Sequence, residues 1–389
     1  MIPYGRQDID DDDVAAVVAA LRSDFITQGP AITAFETAVA RHVGAAHAVA
    51  ACNATAGLHI AYLSLGLSAG DRLWTVPNTF VATANAARFC GAEVDFVDIT
   101  PDTYLMDVDA LAAKLAHARR QGRLPKIVAP VHFAGQSCDM RAIRALADDY
   151  GFKIVEDASH AIGGEYLGSK IGDCRFSDLT VFSFHPVKIV TTGEGGMVTA
   201  KDASLAKRLS ELRSHGTTRD PSRMEGPSEG PWYYQQIELG LNYRMTDLQA
   251  ALGVSQMKRI DAFVQRRREL AARYDEALAN LPLVLPAQNP QGRSAFHLYP
   301  IQLRLESIGR TRREIFESLR AAGIGVNVHY IPVHLQPYYR RRGFKPGDFP
   351  HSERYYERAI SLPLFAAMTD AEQEEVVARL SDTLLARAA

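Results

Sequence analysis

Several polar side chains stand just past short apolar, β-branched runs, where a buried strand would end. Asp157 follows "FKIVE", His185 and Lys188 follow "LTVFSF" with Ser183 inside it, "NATAG" (Asn53 to Gly57) follows "HAVAAC", and Asn78 and Phe80 follow "RLWTVP". Lysine is among the side chains least often buried. One held among apolar neighbours loses hydration and becomes a nucleophile. An acid at the end of an apolar strand is costly to bury without a cationic partner. Free amides at a helix start, helped by the Thr55 hydroxyl and the amide near Ala56, suit an anion such as a phosphate. An anion site, an acid in want of a cation, a stacking aromatic and a desolvated lysine together fit pyridoxal 5'-phosphate. Lys188 would be its covalent Schiff-base anchor, and Asp157 would pair with the pyridine nitrogen and keep the ring an electron sink. Phe80 would stack on the ring, while Thr55, Ala56 and Ser183 would hold the phosphate. His160, three residues after Asp157, stands at the same edge.

These residues need a sheet to bring them together. The runs "HAVAAC", "RLWTVP", "EVDFVDI", "KIVAPVHF", "FKIVEDAS", "LTVFSFH" and "GGMVTA" are short and nearly all apolar, as strands covered on both faces are. Helical patterns such as 56–65, 109–120 and 140–150 lie between several of them. The alternation predicts an α/β fold: a mainly parallel, seven-stranded sheet with helices on both faces. In such sheets ligands gather beyond the carboxyl ends of the strands. The acids Asp10 to Asp13 suit the start of a helix. One long helix is expected over 246–280, followed by a smaller α+β unit, which gives domains 1–250 and 251–389. The arginine triplets 266–268 and 340–342 are expected on solvated faces. Residues 217–231 read as a loop, and "GGEYLGSK" as a chance likeness to a P-loop with serine and lysine in the wrong order.

Of the 389 residues 47% are hydrophobic and 23% charged, which supplies a large core. The net charge of -2 gives no pull toward nucleic acid or an anionic membrane. No apolar run approaches a membrane span, and the acidic start lacks the pattern of a signal peptide. The four cysteines are far apart with no CxxC pair. A cytoplasmic protein without structural metal is expected. No GxGxxG follows the first strand, which weakens a dinucleotide-binding dehydrogenase.

"VEDASHAIGG", "FSFHPVKIVTTGEGGMV" and "LNYRMTDLQAALGVSQ" resemble the signature segments of the DegT/StrS-type sugar-nucleotide aminotransferases. That family has the type I fold of pyridoxal-phosphate enzymes and forms homodimers with composite active sites. The resemblance implies Lys188 as anchor and proton shuttle, Asp157 at the pyridine nitrogen and His160 near the ring hydroxyl. It implies Thr55, Ala56 and Ser183 at the phosphate, with Asn242 reaching it from the other subunit. Substrate contacts are implied at Tyr4, at Asp24, Phe25, Ile26 and Thr27, at Ala56 and Asn242, and at His329, Tyr330, Ile331 and Pro332. The implied reaction passes an amino group from L-glutamate, leaving 2-oxoglutarate, to C4 of a UDP-4-keto-6-deoxy-N-acetylhexosamine. Alternatives are an aminotransferase for another 4-amino or 3-amino sugar, or a non-catalytic binding relative. A dehydratase branch that replaces the lysine by histidine is disfavoured by Lys188. Ala56 departs from relatives that carry serine there, so a hydroxyl contact is lost.

Overall fold

The seven apolar runs pair into one sheet in the computed structural model, which describes residues 1–385. The strands are β1 (His47–Ala51), β2 (Arg72–Thr75), β3 (Glu93–Phe96), β4 (Ile127–Val128), β5 (Lys153–Asp157), β6 (Leu179–Ser183) and β7 (Gly196–Ala200). Their order is β1-β7-β6-β5-β4-β2-β3. Pairing is parallel from β6 through β3, and β7 runs antiparallel to both β1 and β6. Six strands therefore end at the same edge.

Alternate residues of these strands enter different cores, because successive side chains point to opposite faces. Phe182 and Met197 pack with Phe35 and Val39 of a helix over Pro30–Val43. Val181 and Val198 pack with Leu58 and Tyr62 of a helix over Ala54–Ser64. Both faces are thus covered, which explains why β6 and β7 are buried at every residue.

A second core, with Leu270, Tyr274, Ile301, Ile360 and Leu380, surrounds a small antiparallel sheet. Its strands, in spatial order, are β8 (Leu283–Val284), β9 (Tyr299–Leu303) and β10 (Ala359–Leu362).

Three expectations meet a more detailed answer. Asp10 does cap the first helix, Asp11–Leu21, in a capping box with Asp13. Asp13 is fully buried, however, because it also binds Arg259 (2.5 Å) and Gln256 (2.6 Å). The single helix expected over 246–280 is two helices, Asp247–Met257 and Ile260–Leu278. The chain turns at Arg259, whose guanidinium is held by Asp8, Asp10 and Asp13.

Arg267 corrects the solvated-face reading of its triplet. It is only 1% exposed. Its Nη1 donates to the carbonyls of Leu364 (2.8 Å), Phe296 and His297 (3.3 Å each). Burial lowers its guanidinium to about 10. Backbone carbonyls here replace water around a cation that lies on the core side of its helix. The second triplet, Arg340 to Arg342, is exposed. "GGEYLGSK" forms a small hairpin, Glu165–Tyr166 with Ser169–Lys170. No helix among the described residues is long and apolar enough to cross a membrane.

Candidate active site

A cavity of about 610 Å³ lies beyond the carboxyl ends of the strands. Asp157, Ser183 and Lys188 line it, joined by Thr55, Phe80, His160, Tyr4, His329 and Tyr330. Residues distant in sequence meet because β5 and β6 are neighbours and β1 and β2 end at the same edge. Asp157 pairs in register with Val181, two residues before Ser183.

Asp157 is 5% exposed. The Thr83 hydroxyl donates to its Oδ2 at 2.6 Å, and the Ser159 hydroxyl and amide donate to Oδ1 at 2.6 and 3.1 Å. These donors suit an ionised carboxylate, yet among the described residues no arginine or lysine forms a salt bridge with it. Its neighbour Glu156 points to the other face, where His132 Nε2 (2.5 Å) and the Thr180 hydroxyl (2.9 Å) hold it. Period-two alternation thus separates the two acids of "VED". Thr83→Val should cost about 1–3 kcal/mol of stability by removing a donor from a buried charge. Urea denaturation checks this, and an unchanged midpoint would mean that Thr83 is idle.

Lys188 is half-buried. Desolvation lowers its amine to about 8, and the Asp157 carboxylate opposes the shift. A lysine in that range is partly neutral near pH 7 and can act as nucleophile or base.

The helix over Ala54–Ser64 starts at the cavity. Asn53, not Thr55, is its N-cap, with Oδ1 accepting the Ala56 amide at 2.8 Å. The Ala56 amide is therefore spent, and Ala56, 3% exposed, is not on the cavity wall. The amides of Ala54 and Thr55, the first two of the helix, have no carbonyl partner within it. They and the Thr55 side chain face a ready anion site. Gly196 makes this approach possible: a Cβ there would lie 2.5 Å from the Asn53 carbonyl carbon and 2.8 Å from the Ala54 nitrogen. Gly196, the last glycine of "GEGG", thus lets the helix start press against β7.

On the opposite wall, His160 Nδ1 accepts the Ala134 amide at 3.4 Å, which leaves the proton on Nε2, 3.0 Å from the Tyr330 hydroxyl. Burial and nearby Lys188 hold His160 well below 6.5, so it is neutral. The same causes lower His329 to about 3. Burial raises the Tyr330 phenol far above its ordinary value.

Ile331 and Pro332 do not line this cavity, since the chain after Tyr330 turns away to bond Pro77 through Val333. Asp24, Phe25, Ile26, Thr27 and Asn242 are exposed and lie outside it. The first segment is tied to the start of the helix Asp247–Met257, where Thr27 bridges Thr246 and Asp247 accepts the amides of Gly29 (2.7 Å) and Ala31 (2.9 Å), whereas Asn242 bridges Ser214. Sequence reasoning missed Asn53 as the cap, Thr83 and Ser159 as donors to Asp157, and His297, which also lines the cavity. Ser159 had a local signal, since a serine two residues after an aspartate often closes on it. Thr83 and His297 had none.

The buried carboxylate without a cation, the lowered lysine and the two helix-start amides fit pyridoxal phosphate as a resident group. Comparison with known proteins agrees. Residues 7–381 match the DegT/DnrJ/EryC1/StrS aminotransferase family model. The chain is 37% identical over 388 residues to the UDP-4-amino-4-deoxy-L-arabinose–oxoglutarate aminotransferase of Shewanella sediminis, covering 98% of this chain and 97% of that one. Its structure resembles Helicobacter pylori PseC, an aminotransferase involved in pseudaminic acid biosynthesis, with a TM-score of 0.88 at 29% identity over 98% and 99% of the chains. It also resembles the PLP form of the sugar aminotransferase Spr1654 of Streptococcus pneumoniae, with a TM-score of 0.86 at 29% identity over 98% of each chain. With cofactor chemistry, fold and relatives in agreement, the chain belongs to the DegT/DnrJ/EryC1/StrS family and is a pyridoxal-phosphate-dependent sugar-nucleotide aminotransferase.

Proposed function

We propose that the protein moves an amino group from L-glutamate to C4 of a UDP-4-keto-6-deoxy-N-acetylhexosamine. The product is UDP-4-amino-4,6-dideoxy-N-acetyl-β-L-altrosamine, an intermediate of pseudaminic acid biosynthesis. The observation carrying this choice of sugar is the likeness to PseC over nearly the whole of both chains. A second reading, amination of a UDP-4-keto-pentose, is favoured by the higher identity to the arabinose enzyme. Incubation with L-glutamate and each keto sugar nucleotide, followed by mass and NMR analysis, separates them. The first reading requires an acetamido 6-deoxy product, and a product only from the pentose would overturn it.

When bound, pyridoxal phosphate supplies the electron sink that stabilises negative charge on the carbon bearing the amine. The chain supplies the rest. Lys188 takes a proton from the donor carbon and returns one at the sugar carbon, acting as general base and then general acid. Asp157, held by Thr83 and Ser159, would pair with the ring nitrogen and favour positive charge there. The amides of Ala54 and Thr55, with Ser183, would hold the phosphate, and Phe80 would stack on the ring. His160 and Tyr330 would stand near the ring hydroxyl, and Tyr4 and His329 would meet the sugar.

Asn242 and the segment Asp24 to Thr27 act, in this reading, in the cavity of a second copy. Their exposure supports it, as do the exposed Phe25, Ile26, Trp232 and Leu239, since apolar exposure of this kind marks interaction surfaces. We further read the chain as two folding units, divided near residue 250. The helix Asp247–Met257 itself packs with residues of the large core, including Ile32 and Phe35.

A pH profile tests the lysine. With its amine at about 8, capture of pyridoxal phosphate by cofactor-free protein should rise about tenfold per pH unit below 8 and level off above it. Stopped-flow absorbance follows this. An inflection near the ordinary lysine value would show that Lys188 is not desolvated.

A further inference from the structure

One polar side chain on the cavity wall is left with an unpartnered buried nitrogen. His297 lines the cavity and is 4% exposed, yet its Nδ1 is buried without a hydrogen-bond partner. The other buried imidazoles there are committed. His160 faces Tyr330 and Ala134, and His329 Nδ1 lies 2.9 Å from the Ser361 hydroxyl. The His297 ring lies 4.5 Å from that of His160.

Its position is built rather than incidental. The buried Arg267 grips the carbonyls of Phe296 and His297. Ala295 donates to the Gly135 carbonyl at 3.0 Å, and Leu298 to that of Ala134 at 3.4 Å. Gly135 has φ +103°, and a Cβ there would meet the amide nitrogens of Phe296 at 2.8 Å and His297 at 3.0 Å. The segment carrying His297 is thus clamped against the large core from one side and by Arg267 from the other.

The two substrates that share this cavity differ in charge at the reacting carbon. An amino-acid donor carries a carboxylate on the very carbon that gives up its amine. The keto sugar is neutral there, and its diphosphate is attached across the ring at C1. A donor's α-carboxylate therefore needs N–H groups close to Lys188, and no arginine lines the cavity among the described residues. Burial, and then the nearby Lys188 charge, hold the His297 imidazole well below 6.5. The neutral ring keeps one N–H to give.

We propose that His297 receives the α-carboxylate of the amino donor, and so serves the donor half of the reaction and not the sugar half. The inference rests on L-glutamate being the donor.

The holoenzyme's two halves can be timed separately by the loss of the cofactor's visible band with L-glutamate and its return with the sugar nucleotide. In His297→Phe, kcat/KM for L-glutamate should fall roughly 10- to 100-fold, the effect of losing a hydrogen bond to a charged group. The sugar half should stay within about threefold. His297→Gln, which keeps an N–H, should recover part of the loss. Binding of glutarate, a dicarboxylate without amine or ketone, should weaken by a similar factor in calorimetry. Should His297→Phe fail to fold, His297→Ala decides in the same assays. Equal losses in both halves, or unchanged glutarate binding, would overturn the inference alone. A wild-type holoenzyme that does not respond to L-glutamate would overturn it together with the donor reading.

Discussion

Lys188→Ala should lower turnover by about 10⁴-fold or more, the upper range for removing a positioned acid–base group, and should abolish the visible band of the covalently held cofactor. The reason is local. Lys188 is the one lysine on the cavity wall among the described residues, and an amine lowered to about 8 can act both as nucleophile and as proton carrier. Lys188→Arg is the informative companion. It keeps a positive charge beside Asp157 but stays protonated, so it should be as inactive as the alanine variant. If arginine restored activity, the lysine would matter as a charge only. Steady-state rates and absorbance spectra of the three proteins distinguish these cases.

Asp157→Asn should reduce kcat by roughly 10²- to 10³-fold, the range for losing a preorganised electrostatic group in a closed site. The substitution keeps the shape and removes the charge. The hydroxyls of Thr83 and Ser159 and the Ser159 amide, which now converge on a carboxylate, would then face an amide with fewer acceptor sites. Both halves of the reaction should slow together, because the ring nitrogen serves both. That pattern separates Asp157 from His297, whose loss should slow one half only. A variant with near wild-type kcat would contradict the pairing of Asp157 with the cofactor.

Much of this was legible in the chain because strands covered on both faces read as unbroken apolar runs. The polar residues that end such runs in a parallel sheet must share an edge. That logic reaches Asp157, Ser183 and Lys188 directly. It does not reach residues whose place depends on packing across the fold. Thr83 approaches Asp157 only because a helix over Ala82–Phe89 begins beside β5, and His297 only because Arg267 and Gly135 clamp its segment. Arg267 itself shows the limit of reading charge as exposure: its triplet looks solvated until backbone carbonyls surround its middle member. The N-cap of the helix over Ala54–Ser64 is ambiguous in sequence for a simpler reason. Asn53 and Thr55 both suit an N-cap, and only the extended backbone at Asn53 (φ -164°) decides between them.

In the proposed mechanism one amine, at Lys188, carries the cofactor beyond the ends of β5 and β6. Borohydride reduction of the purified holoenzyme fixes the cofactor to the amine that holds it, and peptide mass mapping then finds the site. A single modified residue, Lys188, is expected, in the peptide containing "FHPVK". Modification of another lysine, or no modification of a protein that contains the cofactor, would contradict it.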